Sequence, residues 1–149
     1  MSVRREQLLG SWRLLDWQIR VDGSDGVTRP FGDHPEGLIV YTPDGWMTAA
    51  IARRKRERLP ADLPFRRIPP PLLADAYLSY FHYAGPYRIE GDEVIHSVVQ
   101  SLNPNFPGTE QRRHVAFEGE RLILSGIEDL GEIVRRHRLA WERPAIRSE

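Results

Sequence analysis

The sequence contains no cysteine, so disulfides and thiolate metal sites are excluded. Long apolar runs are also missing. Residues 38–41 are too few to span a bilayer, and the first ten residues contain no apolar core of signal-peptide length. Together these absences predict a soluble protein of a reducing compartment, the cytoplasm, with no membrane partner.

A surplus of charge of one sign is absent as well. The chain has 21 basic and 21 acidic residues, so no overall field attracts nucleic acid. The one basic stretch, residues 53–58, has no interleaved aromatic residues and is interpreted as a solvated loop that attracts acidic ligands. With 149 residues, the chain is expected to form a single domain over residues 1–149.

Cofactor motifs are missing too. The sequence has no glycine-rich phosphate loop and no Gly-x-Ser-x-Gly nucleophile turn. The five histidines show no metal-binding spacing; they are His34, His82, His96, His114 and His137. We therefore expect neither a metal ion nor a cofactor, and we give haem held by His96 or His137 little weight.

The most informative stretch is residues 132–143, where alternate residues form two distinct faces, as in a strand. One face carries the large apolar residues and is predicted to point inward; it contains Ile133, Arg135, His137, Leu139 and Trp141. Burying Arg135 and His137 in a dry core is costly, because their polar groups lose water. The pattern therefore predicts a barrel whose lumen holds water or an acidic ligand.

Other segments alternate in the same way and are separated by turn residues such as Asp44-Gly45. We predict an all-β fold, an eight-stranded up-and-down antiparallel β-barrel, with one inserted helix near the barrel mouth. The helix is predicted from apolar spacing across residues 72–81. The strands are predicted at residues 11–21, 37–41, 46–51, 83–90, 93–102, 109–118, 121–125 and 132–143. In the first strand both faces are mixed, so its inner face is left open.

Several segments also resemble one protein family. Gly10-Ser11-Trp12 on the first strand and Arg143 beside the last strand are similar to the calycin arrangement, in which an arginine packs on a tryptophan at the closed end. Further segments resemble the bacterial and fungal lipocalin-like domain family; they are residues 9–14, 30–32, 37–45, 83–87, 94–96, 101–105, 108–113 and 139–143. The resemblance implies an eight-stranded barrel around a ligand cavity, and it implies no single reaction.

A candidate binding site follows from the strand at residues 109–118. Gln111 and Arg113 share a face with Val115 and Phe117, so we predict that both enter the lumen that receives Arg135 and His137. Arginine remains charged and offers a fork of donors, which suits a carboxylate, enolate or phenolate. The alternative is structural: one arginine stacks on a tryptophan, and another pairs with a buried acid such as Asp16.

Other candidates depend on side-chain direction. His96 lies on a strand with two apolar faces, so it is either structural or a proton shuttle in the lumen. Tyr80, Tyr83 and Tyr87 are predicted near the mouth, where they either pack or orient a ligand carbonyl. Trp46 and Trp141 are open to the same two interpretations.

Two functions fit these residues. The favoured one is a binding protein for a small, mostly apolar molecule with an acidic or carbonyl group, as monomer or homodimer. The alternative is a cofactor-free cyclase, isomerase or dehydratase acting on a polyketide-like intermediate in natural-product biosynthesis. There Arg113 and Arg135 would stabilise an oxyanion, and His96, His137 or a tyrosine would move the proton.

Overall fold

The computed structural model describes residues 2–147. Its ten strands are β1 Gly10–Val21, β2 Val27–Thr28, β3 Glu36–Tyr41, β4 Trp46–Ala52, β5 Tyr80–Glu90, β6 Glu93–Ser97, β7 Gln100–Ser101, β8 Glu110–Glu118, β9 Arg121–Asp129 and β10 Val134–Glu142. Two helices, α1 Arg5–Leu8 and α2 Pro70–Leu78, and a short 3-10 turn at Phe65–Arg67 complete the elements.

Eight of the strands close into an antiparallel barrel, in the order β1, β3, β4, β5, β6, β8, β9 and β10. The last strand returns to the first, with Trp141 opposite Leu14 and His137 opposite Ile19. The short β2 pairs with β1, and the short β7 pairs with β5. The predicted up-and-down barrel is therefore confirmed, and so is its inserted helix, which joins β4 to β5.

A β-bulge in β1 explains why its inner face could not be assigned from alternation. The register with β10 shifts between Leu14 and Asp16, so Leu15 is an extra residue. Before the bulge, Trp12 and Leu14 face inward. After it, the odd-numbered residues face inward, beginning with Trp17, which lies opposite Leu139 on β10.

One end of the barrel is closed by the residues of the calycin resemblance. The Trp12 indole Nε1 donates to the Leu8 carbonyl oxygen at 2.9 Å. The Arg143 guanidinium lies 3.7 Å from the centre of a Trp12 ring and donates to the Leu9 carbonyl oxygen. Helix α1 therefore seals this end, with its Leu8 fully buried.

Several element boundaries differ from the prediction. The last strand begins at Val134, so Ile133, which was predicted to face inward, precedes it and is 49% exposed. Helix α2 ends at Leu78, so Tyr80 and Phe81 begin β5 and do not continue the helix. Strand β9 runs to Asp129, four residues beyond the predicted end. The predicted strand at residues 93–102 is interrupted after Ser97. At this point the Ser97 carbonyl oxygen approaches Gly85 so closely that a Cβ on residue 85 would lie 1.9 Å from it.

No helix in the described part of the chain has both the length and the apolar character needed to cross a membrane.

Candidate functional site

A cavity of about 440 Å³ occupies the lumen, within the size range of small-molecule sites. Most of its wall is aromatic or aliphatic, and the apolar lining comprises Trp17, Ile39, Ala49, Ile51, Phe81, Phe106, Leu124, Ile127, Leu139 and Trp141. The polar lining comprises Tyr83, His96, Gln111, Arg113, Glu128, Arg135 and His137. The lumen therefore combines a large apolar surface with a few charged groups.

Arg113 projects from β8 into this cavity beside Gly126 of β9. Pairing between β8 and β9 extends from Glu118 opposite Arg121 to His114 opposite Ser125, and it stops before Arg113 would meet Gly126. The guanidinium occupies this gap, where Nη1 donates to the Arg112 carbonyl oxygen at 2.8 Å. Across residues 2–147, no carboxylate lies within 4 Å of the Arg113 guanidinium.

Glycine at position 126 makes this arrangement possible. A Cβ added there would lie 2.8 Å from Arg113 Nη1 and 3.0 Å from its Cδ and Cζ atoms. Both residues also border a groove on the outer wall. The unpaired part of β8 and β9 is therefore the place where a charged side chain enters the barrel wall.

Arg135 and His137, in contrast, share a carboxylate. Glu128 Oε1 lies 3.1 Å from Arg135 Nη1 and 3.1 Å from His137 Nε2. The Trp17 indole, which can only donate, gives its hydrogen bond to His137 Nδ1 at 3.1 Å. His137 therefore carries its proton on Nε2 and donates it to Glu128.

The surroundings of His137 keep its imidazole neutral. Burial lowers its pKa from the ordinary value, and the nearby Arg113 and Arg135 charges lower it further, whereas Glu128 acts in the opposite direction. Both ring nitrogens are engaged, so the geometry holds Glu128 and Trp17 in place and leaves His137 no free nitrogen for a ligand.

His96 faces inward, which settles the direction left open by the sequence. Its side chain is 1% exposed, with Nε2 2.8 Å from the Tyr41 hydroxyl and Nδ1 2.6 Å from the Tyr83 hydroxyl. Burial, reinforced by the Arg113 charge, lowers the pKa of His96 to about 3. Burial also raises the pKa of Tyr41 and of Tyr83, so all three groups are neutral at pH 7.

The remaining predicted lumen residues, Gln111 and Trp141, also line the cavity. Gln111 Nε2 donates to the Thr109 hydroxyl at 3.0 Å, so its side chain is held by the residue that precedes its own strand. Trp141 is 1% exposed, and its indole nitrogen has no hydrogen-bond partner among residues 2–147. An unpaired buried donor of this kind is uncommon in native proteins.

Three of the candidate ligand contacts, Trp46, Tyr80 and Tyr87, lie outside the cavity lining. Trp46 begins β4 and is 49% exposed. Tyr80 is the first residue of β5, in which Phe81 and Tyr83 point into the cavity, so the side chain of Tyr80 points outward. The Arg56 guanidinium lies over its ring. Tyr87 is buried and does not line the cavity, and its hydroxyl donates to the Thr42 carbonyl oxygen at 2.8 Å.

Sequence reasoning missed several lining residues, above all Glu128. The sequence pattern that could have identified Glu128 is the alternation of Leu122, Leu124 and Gly126. This alternation continues to Glu128 once β9 is extended to Asp129. Phe81 was hidden by the predicted helix. Phe106 lies in a loop, where no periodicity could identify it, and packs 5.8 Å from Phe81 between ring centres.

The structural alternative for the arginines is partly correct. Arg135 pairs with an acid, but that acid is Glu128; Asp16 faces outward and binds Arg29 at 3.0 Å. The arginine stacked on a tryptophan is Arg143 at the closed end. Arg113 meets neither condition. No three histidine, aspartate or glutamate side chains within residues 2–147 are grouped to hold a metal ion.

The fold and its cavity define a class, the closed eight-stranded barrels that enclose a ligand site. A family model described as a lipocalin-like domain matches residues 9–144, so the chain belongs to the lipocalin-like domain family. A comparison with curated proteins found no match. Membership in this family suggests binding of a small hydrophobic ligand.

Proposed function

We propose that the chain binds a small, mostly apolar molecule whose acidic group is held by Arg113. The observation that carries this proposal is an arginine in the cavity wall with no carboxylate within 4 Å among the described residues, while the neighbouring Arg135 has Glu128. A half-buried guanidinium without a counterion gains most from an anionic ligand. A carboxylate, enolate or phenolate supplies that charge.

The apolar wall supports the other half of the proposal. Trp17, Phe81 and Phe106 face the same cavity as Leu124 and Leu139, so a ring system entering the lumen removes apolar surface from water on both partners. Because the charged groups are few, they orient the ligand, and the apolar wall contributes most of the affinity. Involvement in natural-product metabolism is proposed on this chemistry and on the family resemblance.

Two probes of nearly equal shape test the anion site. Fluorene and fluorene-2-carboxylic acid differ by the acidic group alone, and both are smaller than the cavity of about 440 Å³. We expect the acid to bind at least about tenfold more tightly than fluorene, since a charge-assisted hydrogen bond contributes about 1.5–3 kcal/mol. Arg113→Gln should remove this advantage and leave fluorene binding unchanged.

Arg112→Gln is the matched control, because Arg112 lies on the same strand, faces outward and carries the same charge. Calorimetric or fluorescence titration of both variants measures the affinities. Equal loss of acid binding in the two variants would show that only net charge matters. Failure of both probes to bind wild-type protein would refute the binding function.

A second candidate function is a cofactor-free cyclase, isomerase or dehydratase. It is supported by Glu128, a carboxylate that faces the same cavity as the cation Arg113 and the phenol Tyr83. In this mechanism Glu128 removes a proton next to a carbonyl, while Arg113 and Tyr83 stabilise the enolate oxygen. His137 positions Glu128, because both of its nitrogens are already bonded.

Mass spectrometry of small molecules that co-purify with the protein separates the two functions. A carrier releases the molecule unchanged after incubation, whereas an enzyme converts it to a product of different mass or retention time. Glu128→Gln should abolish conversion and preserve binding in the enzyme case. Light scattering tests the predicted monomer or homodimer.

A further inference from the structure

The cluster of Tyr41, His96 and Tyr83 contains more protons than hydrogen bonds. A neutral imidazole carries one proton, and each tyrosine carries one, which gives three protons for the two contacts at His96. Each contact uses one proton. One tyrosine hydroxyl therefore keeps a proton that neither contact uses.

Burial decides which tyrosine this is. Tyr41 is fully buried and does not line the cavity, and among residues 2–147 its hydroxyl contacts only His96, so a spare proton there would have no acceptor. Tyr83 lines the cavity, where a ligand oxygen or water can accept the proton. The favourable arrangement has Tyr41 donating to His96 Nε2 and His96 Nδ1 donating to Tyr83. The Tyr83 hydroxyl is then free to donate into the lumen.

Trp141 provides a second donor without an acceptor. Its indole N–H is buried and has no partner among residues 2–147, and its side chain lines the same cavity as Tyr83. An indole nitrogen can only donate, so no tautomer or rotation turns it into an acceptor. Tyr83 and Trp141, two residues that line one cavity, thus each carry a donor that lacks an acceptor among residues 2–147, and a ligand oxygen can supply it.

We propose that Tyr83 and Trp141 form a carbonyl-binding subsite, separate from the anion site at Arg113. The ligand class is then an apolar ring system that bears a neutral ketone- or ester-type carbonyl in addition to its acidic group. This inference rests on the proposed binding function and adds a second recognition point to it. His96 acts as a positioning residue that leaves the Tyr83 proton free.

A set of four probes distinguishes the two sites. Fluorene, 9-fluorenone, fluorene-2-carboxylic acid and 9-fluorenone-2-carboxylic acid combine the carbonyl and the acid independently on one ring system. In wild-type protein we expect the carbonyl to tighten binding about tenfold with or without the acid, the gain expected of a well-placed buried hydrogen bond. Tyr83→Phe should abolish this carbonyl gain and keep the gain from the acid, whereas Arg113→Gln should do the reverse.

Tyr87→Phe is the matched control, because Tyr87 is buried, lies outside the cavity and loses the same hydroxyl. It should keep the carbonyl gain. Trp141→Phe should reduce the gain, with fluorene affinity measuring any lost apolar contact. Infrared spectroscopy gives an independent readout: the carbonyl stretch of bound fluorenone should move to lower wavenumber in wild type and return in Tyr83→Phe.

Equal affinity for fluorene and fluorenone in wild-type protein overturns the carbonyl subsite while leaving the anion site intact. A carbonyl gain that survives Tyr83→Phe also overturns it. If neither the acid nor the carbonyl changes affinity, the proposed function fails together with this inference.

Discussion

The substitution Gly126→Ala tests how the barrel wall holds Arg113. The added Cβ would lie 2.8 Å from Arg113 Nη1 and 3.0 Å from Cζ, so the guanidinium must leave the gap between β8 and β9. The backbone tolerates alanine, because Gly126 does not have a positive φ. The substitution therefore acts on the site through one side chain.

The free energy of unfolding should change little. Loss of the bond from Arg113 Nη1 to the Arg112 carbonyl costs about 0.5–1.5 kcal/mol, since the side chain is only half-buried. Replacing glycine by alanine restricts the unfolded chain and returns about 0.4–1 kcal/mol. The two terms nearly cancel, so we expect a change within about 1 kcal/mol.

Acid binding should change much more. We expect Gly126→Ala to reduce the advantage of fluorene-2-carboxylic acid over fluorene about tenfold, because the displaced guanidinium no longer meets the carboxylate. Titration of Gly126→Ala, Arg113→Gln and the double variant measures the coupling. Since Gly126 acts only through Arg113, the double variant should bind the acid like Arg113→Gln alone.

Two results would refute this reasoning. One is a further tenfold loss of acid binding when Gly126→Ala is added to Arg113→Gln. The other is a loss of more than about 2 kcal/mol in the free energy of unfolding, measured in urea. Such a loss would mean that the gap between β8 and β9 contributes to stability beyond the contacts described here.

Three further predictions concern other parts of the barrel. The unfolded chain protonates its histidines near pH 6.5 but folded His96 does so only at about 3, so stability should fall as pH drops through this window. His96→Gln should flatten that slope in unfolding titrations, with the exposed His34→Gln as the control variant. Arg143→Ala should lower stability by about 1–3 kcal/mol through the lost stack on Trp12 and the carbonyl bonds, measured by urea unfolding. Glu128→Gln should tighten fluorene-2-carboxylic acid binding several-fold, because it frees Arg135 and removes a negative charge; unchanged affinity would show that Arg135 cannot reach the ligand.

Period-two alternation predicted the parts of the site that lie on regular strands. On β8 it indicated Gln111 and Arg113 as inward, and on β10 it indicated Arg135, His137 and Trp141, all of which line the cavity. These strands are continuous over nine residues each, so one choice of inner face fixes every side chain. The barrel itself followed from the number of such segments.

The missed residues lie where regular pairing changes. The bulge at Leu15 reverses the parity of β1, so no single face could be assigned to Trp17. Glu128 follows Gly126, and a glycine in a short apolar segment indicates the end of a strand as readily as its continuation. Without Glu128, the sequence could not separate Arg135, which has a counterion, from Arg113, which has none within 4 Å in the described part of the chain.

The same irregularities build the site. Without the extra residue in β1, Trp17 would face outward and His137 would lose the donor that fixes its tautomer. With a side chain at Gly126, Arg113 would have no space in the wall. Arg135 and His137, in contrast, enter the lumen from regularly paired positions of β10. The position of Arg113 and the tautomer of His137 therefore depend on residues that break the strand pattern, and at Gly126 a substitution should change ligand preference more than stability.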